Sequence, residues 1–124
     1  MTKRVLIVED DLDNLRIAET VLRLAGYEVS SVADGADALA RLGSFKPDLV
    51  LMDLQLPCLD GWEATRRIKA TPELRSMPVI AFTGFALKGD EAAARSAGCD
   101  DYLAKPCRPA LLREKLEKWL PAKL

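Results

Sequence analysis

Leu49-Val50-Leu51-Met52-Asp53 decides the fold of this chain: four consecutive apolar residues, then a carboxylate. A run without polar alternation marks a strand buried on both faces, as at the centre of a parallel sheet. The same pattern recurs to either side. Val5-Leu6-Ile7-Val8 runs into Glu9-Asp10, Val79-Ile80-Ala81-Phe82 into Thr83, and Tyr102-Leu103-Ala104 into Lys105-Pro106. In an open parallel sheet the C-terminal strand ends share one edge, and ligands bind there. The pattern would gather three carboxylates, a hydroxyl and an ammonium at that edge. Such a set suits a divalent cation and a phosphoryl group.

Helical periodicity fills the intervals. Leu12, Leu15, Ala18, Leu22 and Ala25 recur at spacings of three and four after Asp11, and Gly26 stops the run. A short strand over 28–33 follows. Asp34 can cap a helix carrying Ala36, Leu39 and Ala40 that ends near Gly43. Asp60 with Glu63 resembles a capping box for a helix bearing Ala64 and Ile68, broken at Thr71-Pro72. An alanine-rich helix spans 87–97 before Gly98. The last opens with Pro109, a good first-turn residue, and carries the stripe Leu112, Leu116, Trp119 and Leu120. This is an α/β chain, (βα)5. The second segment alternates and the fifth is brief, so both read as edges. The order 2-1-3-4-5, with helices on both faces and right-handed crossovers, satisfies these constraints.

Composition narrows the function. The 124 residues make one domain, and 49% hydrophobic content is enough for a real core. A formal charge of −1 gives no basic footprint for nucleic acid. The densest positive stretch, 65–69, reads as the solvated face of a helix. No apolar run approaches the roughly 20 residues of a membrane span. Residues 5–8 are too short for a signal-peptide core, so a cytoplasmic protein is expected. Cys58, Cys99 and Cys107 contain no C-x-x-C pair and suggest neither a disulfide framework nor zinc. With no histidine in the chain, Ser-His-Asp and Cys-His sites are excluded. Any metal should be held by oxygen, which favours magnesium, manganese or calcium.

Two carboxylates about 4 Å apart repel by about 4 kcal/mol at an effective dielectric of 20. Glu9, Asp10 and Asp53 in one cleft therefore call for a cation. Magnesium with Lys105 supplies +3 against their −3. Taken alone, Glu9 and Asp10 could simply open the following helix, where negative charge is favoured. A strand-end carboxylate such as Asp53 can act as a nucleophile and form an aspartyl phosphate. Thr83 can hydrogen-bond a phosphoryl oxygen, or can simply close a strand. Gly84 and Gly89 have P-loop spacing, but Asp90-Glu91 replace the Lys and Ser/Thr that grip requires. A haloacid-dehalogenase-type phosphatase wants a second Asp two residues after the first, where this chain has Gln55.

The strings V-L-I-V-E-D-D (5–11), L-V-L-M-D-L-Q-L-P-C-L-D-G (49–61), V-I-A-F-T-G (79–84) and D-Y-L-A-K-P (101–106) resemble the receiver domain of bacterial response regulators in two-component systems. The resemblance covers nearly the whole chain, in order and spacing. It implies a flavodoxin-like fold with 1–124 as one receiver domain. By motif, Asp53 matches the phosphoacceptor and Lys105 the lysine that contacts the phosphoryl group. Glu9 and Asp10 match the acidic pair. With Asp53 and the Gln55 backbone carbonyl they would hold Mg2+, with Mn2+ as the alternative. Thr83 and Tyr102 match the switch pair, and Gln55 and Phe85 the positions that tune autodephosphorylation. A cis peptide before Pro106 is also implied. The implied partners are a sensor histidine kinase or histidine phosphotransfer protein, plus a downstream protein met by helix 4, strand 5 and helix 5.

The chain departs from the family at Cys107, where phenylalanine is common, and at Arg108, which cannot cap a helix as Asp or Ser would. The expectation is a stand-alone phosphorylation switch rather than a turnover enzyme, monomeric or weakly dimeric, with no nucleic-acid or membrane partner. Two rivals stay open: a degenerate receiver serving as a phosphate-independent adaptor, and a slow aspartyl-phosphate phosphohydrolase.

Overall fold

The computed structural model describes residues 2–53, 61–83, 90–105 and 108–120. Strands and helices alternate: β1 (Arg4–Val8), α1 (Leu12–Leu24), β2 (Glu28–Val32), α2 (Gly35–Phe45), β3 (Leu49–Met52), α3 (Gly61–Ala70), β4 (Val79–Thr83), α4 (Asp90–Ala97), β5 (Asp101–Ala104) and α5 (Pro109–Trp119). The sheet is parallel in the order β2-β1-β3-β4-β5, as the sequence pattern requires.

The three continuously apolar runs are the three inner strands. Leu6, Leu49, Leu51, Met52 and Ile80 are fully buried. Period-2 alternation divides their side chains between two cores. Val5, Ile7, Leu49, Leu51, Ile80, Phe82 and Leu103 face α1 and α5, where Leu22, Leu112 and Leu116 meet them. Leu6, Val8, Val50, Met52, Val79 and Ala81 face the other side with Ala38, Leu42, Ala64, Ile68 and Ala94. Burying each large aliphatic side chain contributes about 1.5–3 kcal/mol, so both layers matter to stability.

Local signals place the helix ends. Asp11 Oδ1 accepts from the Asn14 amide at 3.0 Å, and Asp34 Oδ1 from the Asp37 amide at 2.8 Å, each satisfying a first-turn N–H. Gly26 (φ +96°) and Gly98 (φ +112°) follow α1 and α4 in the left-handed region that terminates helices. Arg108 provides no side-chain cap for α5, as expected of arginine.

Three helical details differ from the sequence reading. On α1, Leu12 is 64% exposed and Ala25 is the exposed C-cap, so the buried face narrows to Ala18 and Leu22 with Leu15 packed against it. On α2, Ala36 and Ala40 are exposed, and Ala38 and Leu42 are buried. The helix runs on to Phe45, because its inward face is set by the sheet rather than by the small alanines. On α5, Trp119 is only half-buried, and its indole N–H is engaged by a carboxylate. Asp60, the segment 87–89 and the peptide before Pro106 lie outside the described residues.

Candidate functional site at the C-terminal sheet edge

Register brings the site together. Val8 pairs with Met52, so Glu9 and Asp53 leave the sheet side by side, and the Asp53 amide donates to the Val8 carbonyl at 2.9 Å. Thr83 pairs with Ala104, which places the end of β4 beside Lys105. The rows 5-7-9, 49-51-53 and 101-103-105 continue the alternation toward α1 and α5. Glu9, Asp53 and Lys105 therefore stand on one side of the sheet edge.

Their contacts agree with that placement. Lys105 Nζ donates to Glu9 Oε1 and, at 3.3 Å, to Asp53 Oδ2, and it lies 5.1 Å from the centroid of the Phe82 ring. The amide of Asp11 donates to Glu9 Oε2 at 3.2 Å. Side-chain exposure is 2% for Glu9, 8% for Asp53 and 9% for Lys105, whereas Asp10 is exposed. One carboxylate oxygen from each of Glu9, Asp10 and Asp53 falls within 4.8 Å of the others.

The charges do not balance. Three carboxylates face one ammonium, and burial pushes the Glu9 carboxyl up to about 7. The hydrogen bond from Lys105 pulls Glu9 down, but neighbouring Asp53 pushes it up again. A divalent cation would remove that excess. The all-oxygen donor set and the single exposed member suit a hard ion that keeps some of its waters.

Of the residues singled out in the sequence, Glu9, Asp10, Asp53 and Lys105 are thus brought together. Tyr102 is half-buried on β5 and packs against the core on the opposite sheet face, that of α2, α3 and α4. The Thr83 backbone ends β4 beside the site, and its side chain lies outside the described residues, as do Gln55, Phe85 and Cys107. Cys99 is buried, and its thiol is pushed up to about 11 by burial, in keeping with an unreactive core cysteine.

Sequence reasoning missed Asp101. It is 2% exposed at the start of β5, yet it accepts from Trp119 Nε1 at 2.8 Å, Lys115 Nζ at 2.9 Å and the Tyr102 amide at 2.8 Å. Lys118 and Arg95 approach to 3.6 and 3.7 Å. The available signal was the polar set Lys115, Lys118 and Trp119 flanking the apolar stripe of α5, facing an acid two places before Leu103.

Comparison with known proteins places the chain in a family. Residues 5–117 match the family of the response regulator receiver domain. The polar-differentiation response regulator DivK of Brucella ovis is 42% identical over 120 residues, covering 97% of this chain and 98% of that protein. A putative response regulator from Chloroflexus aurantiacus superposes with a TM-score of 0.93 at 34% identity, covering 98% of this chain and all (100%) of the other. The receiver domain of sensor histidine kinase PA1611 from Pseudomonas aeruginosa, solved with magnesium in its active-site cleft, does so at 0.90 and 42% identity, with coverage of 98% and 100%. No helix among the described residues is long and apolar enough to cross a membrane. The chain belongs to the response regulator receiver domain family.

Proposed function

We propose that this receiver accepts a phosphoryl group on Asp53 from the histidine of a sensor kinase or phosphotransfer protein, in the cytoplasm, and acts as a switch rather than a turnover enzyme. The observation that carries this reading is Lys105 Nζ reaching both Glu9 and Asp53 from a third strand. An ammonium drawn between carboxylates at a sheet edge suits a site that takes a cation together with an anionic ligand. Glu9, Asp10 and Asp53 would hold Mg2+ or Mn2+, together with the Gln55 carbonyl. The magnesium-bound receiver of PA1611 supports the choice of ion. When bound, the ion supplies positive charge against the oxygens of the transferred group.

The chain's own residues then divide the work. An Asp53 carboxylate oxygen forms the new bond to phosphorus as the donor's N–P bond breaks, in line. Lys105 swings its ammonium from carboxylate to phosphoryl oxygen and neutralises charge there. Thr83 would donate its hydroxyl to the same group, and Tyr102 would follow it inward, changing the face of α4, β5 and α5. A small apolar groove between α1 and α5, lined by Asn14, Ile17, Val21, Pro109 and Leu112, opens beside Lys105 and gives a donor a surface on which to seat.

Acetyl phosphate with magnesium should place one alkali-labile phosphoryl group on each chain, and Asp53→Asn should abolish it. Equal labelling of the Asn variant would refute the assignment. Steady multi-turnover hydrolysis would instead favour a phosphohydrolase.

A further inference from the structure

Helix α5 leaves the sheet edge just after Lys105 and runs back along β5. Its 11 residues span roughly 16 Å. Asp101 lies four residues before Lys105, or roughly 13 Å down the strand. The last turns of α5 therefore arrive at the opposite end of β5 from the site. There Lys115 Nζ and Trp119 Nε1 both donate to Asp101, at 2.9 and 2.8 Å, while Arg95 of α4 stands 3.7 Å away. Asp101, Leu103 and Lys105 occupy one row of the strand, the row facing α1 and α5.

We infer that Asp101 is a positioning residue for signalling: it fastens the far end of α5, and α4 through Arg95, to the strand that carries Lys105. The near end of α5 is joined to β5 by the chain itself and has no side-chain cap. Two attachments make strand and helix one body. A displacement of β5 at its Lys105 end then carries α5 with it. With the Asp101 attachment removed, the last turns are held, among the described residues, chiefly by the apolar stripe Leu112, Leu116 and Leu120 in the core, and such contacts have no direction. The helix can then stay in place while the strand shifts. This inference rests on the phosphoryl-accepting reading of Asp53.

Trp119 reports on the attachment directly. In a Trp62→Phe background, its emission would be recorded with and without beryllofluoride and magnesium. Acceptance at Asp53 would be measured separately by acetyl phosphate labelling. The parent should show a magnesium-dependent change in Trp119 emission. Asp101→Asn should label at Asp53 as the parent does, yet lose at least three-quarters of that change. Lys115→Met, which keeps the apolar stem, should lose about half, and it carries the test if circular dichroism shows the Asn variant unfolded. A purely structural role would lower the melting temperature and leave the emission response whole, which would overturn the inference. So would a parent that labels at Asp53 without any Trp119 response. Absence of labelling in the parent would instead refute the assignment of Asp53.

Discussion

Lys105 Nζ stands between Glu9 and Asp53 and donates to both, so one ammonium partly neutralises two buried carboxylates contributed by two other strands. Its ring contact with Phe82 keeps it over the same side of the sheet. The lysine thereby does part of the task a cation would complete.

Replacing it with methionine separates the two. Removing one partner from a buried ion pair costs about 3–5 kcal/mol, less what Glu9 recovers by taking up a proton. At pH 8, Lys105→Met should melt well below the parent without metal. The uncompensated carboxylates should also bind magnesium more tightly, so saturating magnesium should raise its melting temperature further than it raises the parent's. Equal magnesium-induced rises in the two proteins, read by differential scanning calorimetry, would show that Lys105 and the ion do not share the same carboxylates.

Asp10 offers the opposite experiment. It is exposed but adds to the excess of negative charge, so Asp10→Asn should hold or raise the metal-free stability rather than lower it. The variant loses one of three candidate carboxylate ligands, and its magnesium affinity should fall at least tenfold by titration calorimetry. An unchanged affinity would remove Asp10 from the ligand set.

Much of this was legible in the chain. Unbroken apolar runs identified the inner strands, and the carboxylates after the first two runs, Glu9 and Asp53, meet at one edge because strand order and register are dictated by burial. The side chain of Thr83, after the third run, lies outside the described residues. The helix faces on α1 and α2 were less legible. Alanine fits buried and exposed positions alike, so Ala36, Ala38 and Ala40 cannot be sorted by periodicity alone. Asp101 was hidden for a different reason. A carboxylate is expected at the surface, and its burial depends on three basic groups and an indole that only the packing of α4 and α5 brings near.

Gly98 tests the fold away from the site. Its φ of +112° disfavours any side chain, and a Cβ there would stand 2.8 Å from Lys69 Cγ. Lys69 cannot easily yield, because its Nζ donates to the Arg75 and Met77 carbonyls and to Asp100 Oδ2 at 3.0, 2.9 and 2.7 Å. Gly98→Ala should cost about 2–3 kcal/mol, combining backbone strain with overlap. Urea unfolding with an unchanged m-value would measure it. A loss below about 0.5 kcal/mol would mean that the α4–β5 turn accommodates the methyl.

Asp101 should make stability depend on pH in a way that its asparagine variant does not. Burial alone would raise this carboxyl, but the hydrogen bonds from Trp119, Lys115 and the Tyr102 amide outweigh it and hold it down at about 2. The unfolded chain takes up a proton near pH 4, before the folded state does. The contribution is therefore present in full above that pH and is lost as pH falls through about 2, a difference of roughly 2 kcal/mol. Glu9 acts in the opposite sense in metal-free protein. Raised to about 7, it contributes stability below pH 4.5 that disappears as pH climbs toward neutrality. Parent and Asp101→Asn share Glu9, so the gap between their urea midpoints isolates Asp101. That gap should be widest near pH 7 and should narrow between pH 4 and 2. A gap that stays constant over this interval would mean that the carboxylate's charge contributes nothing beyond its shape.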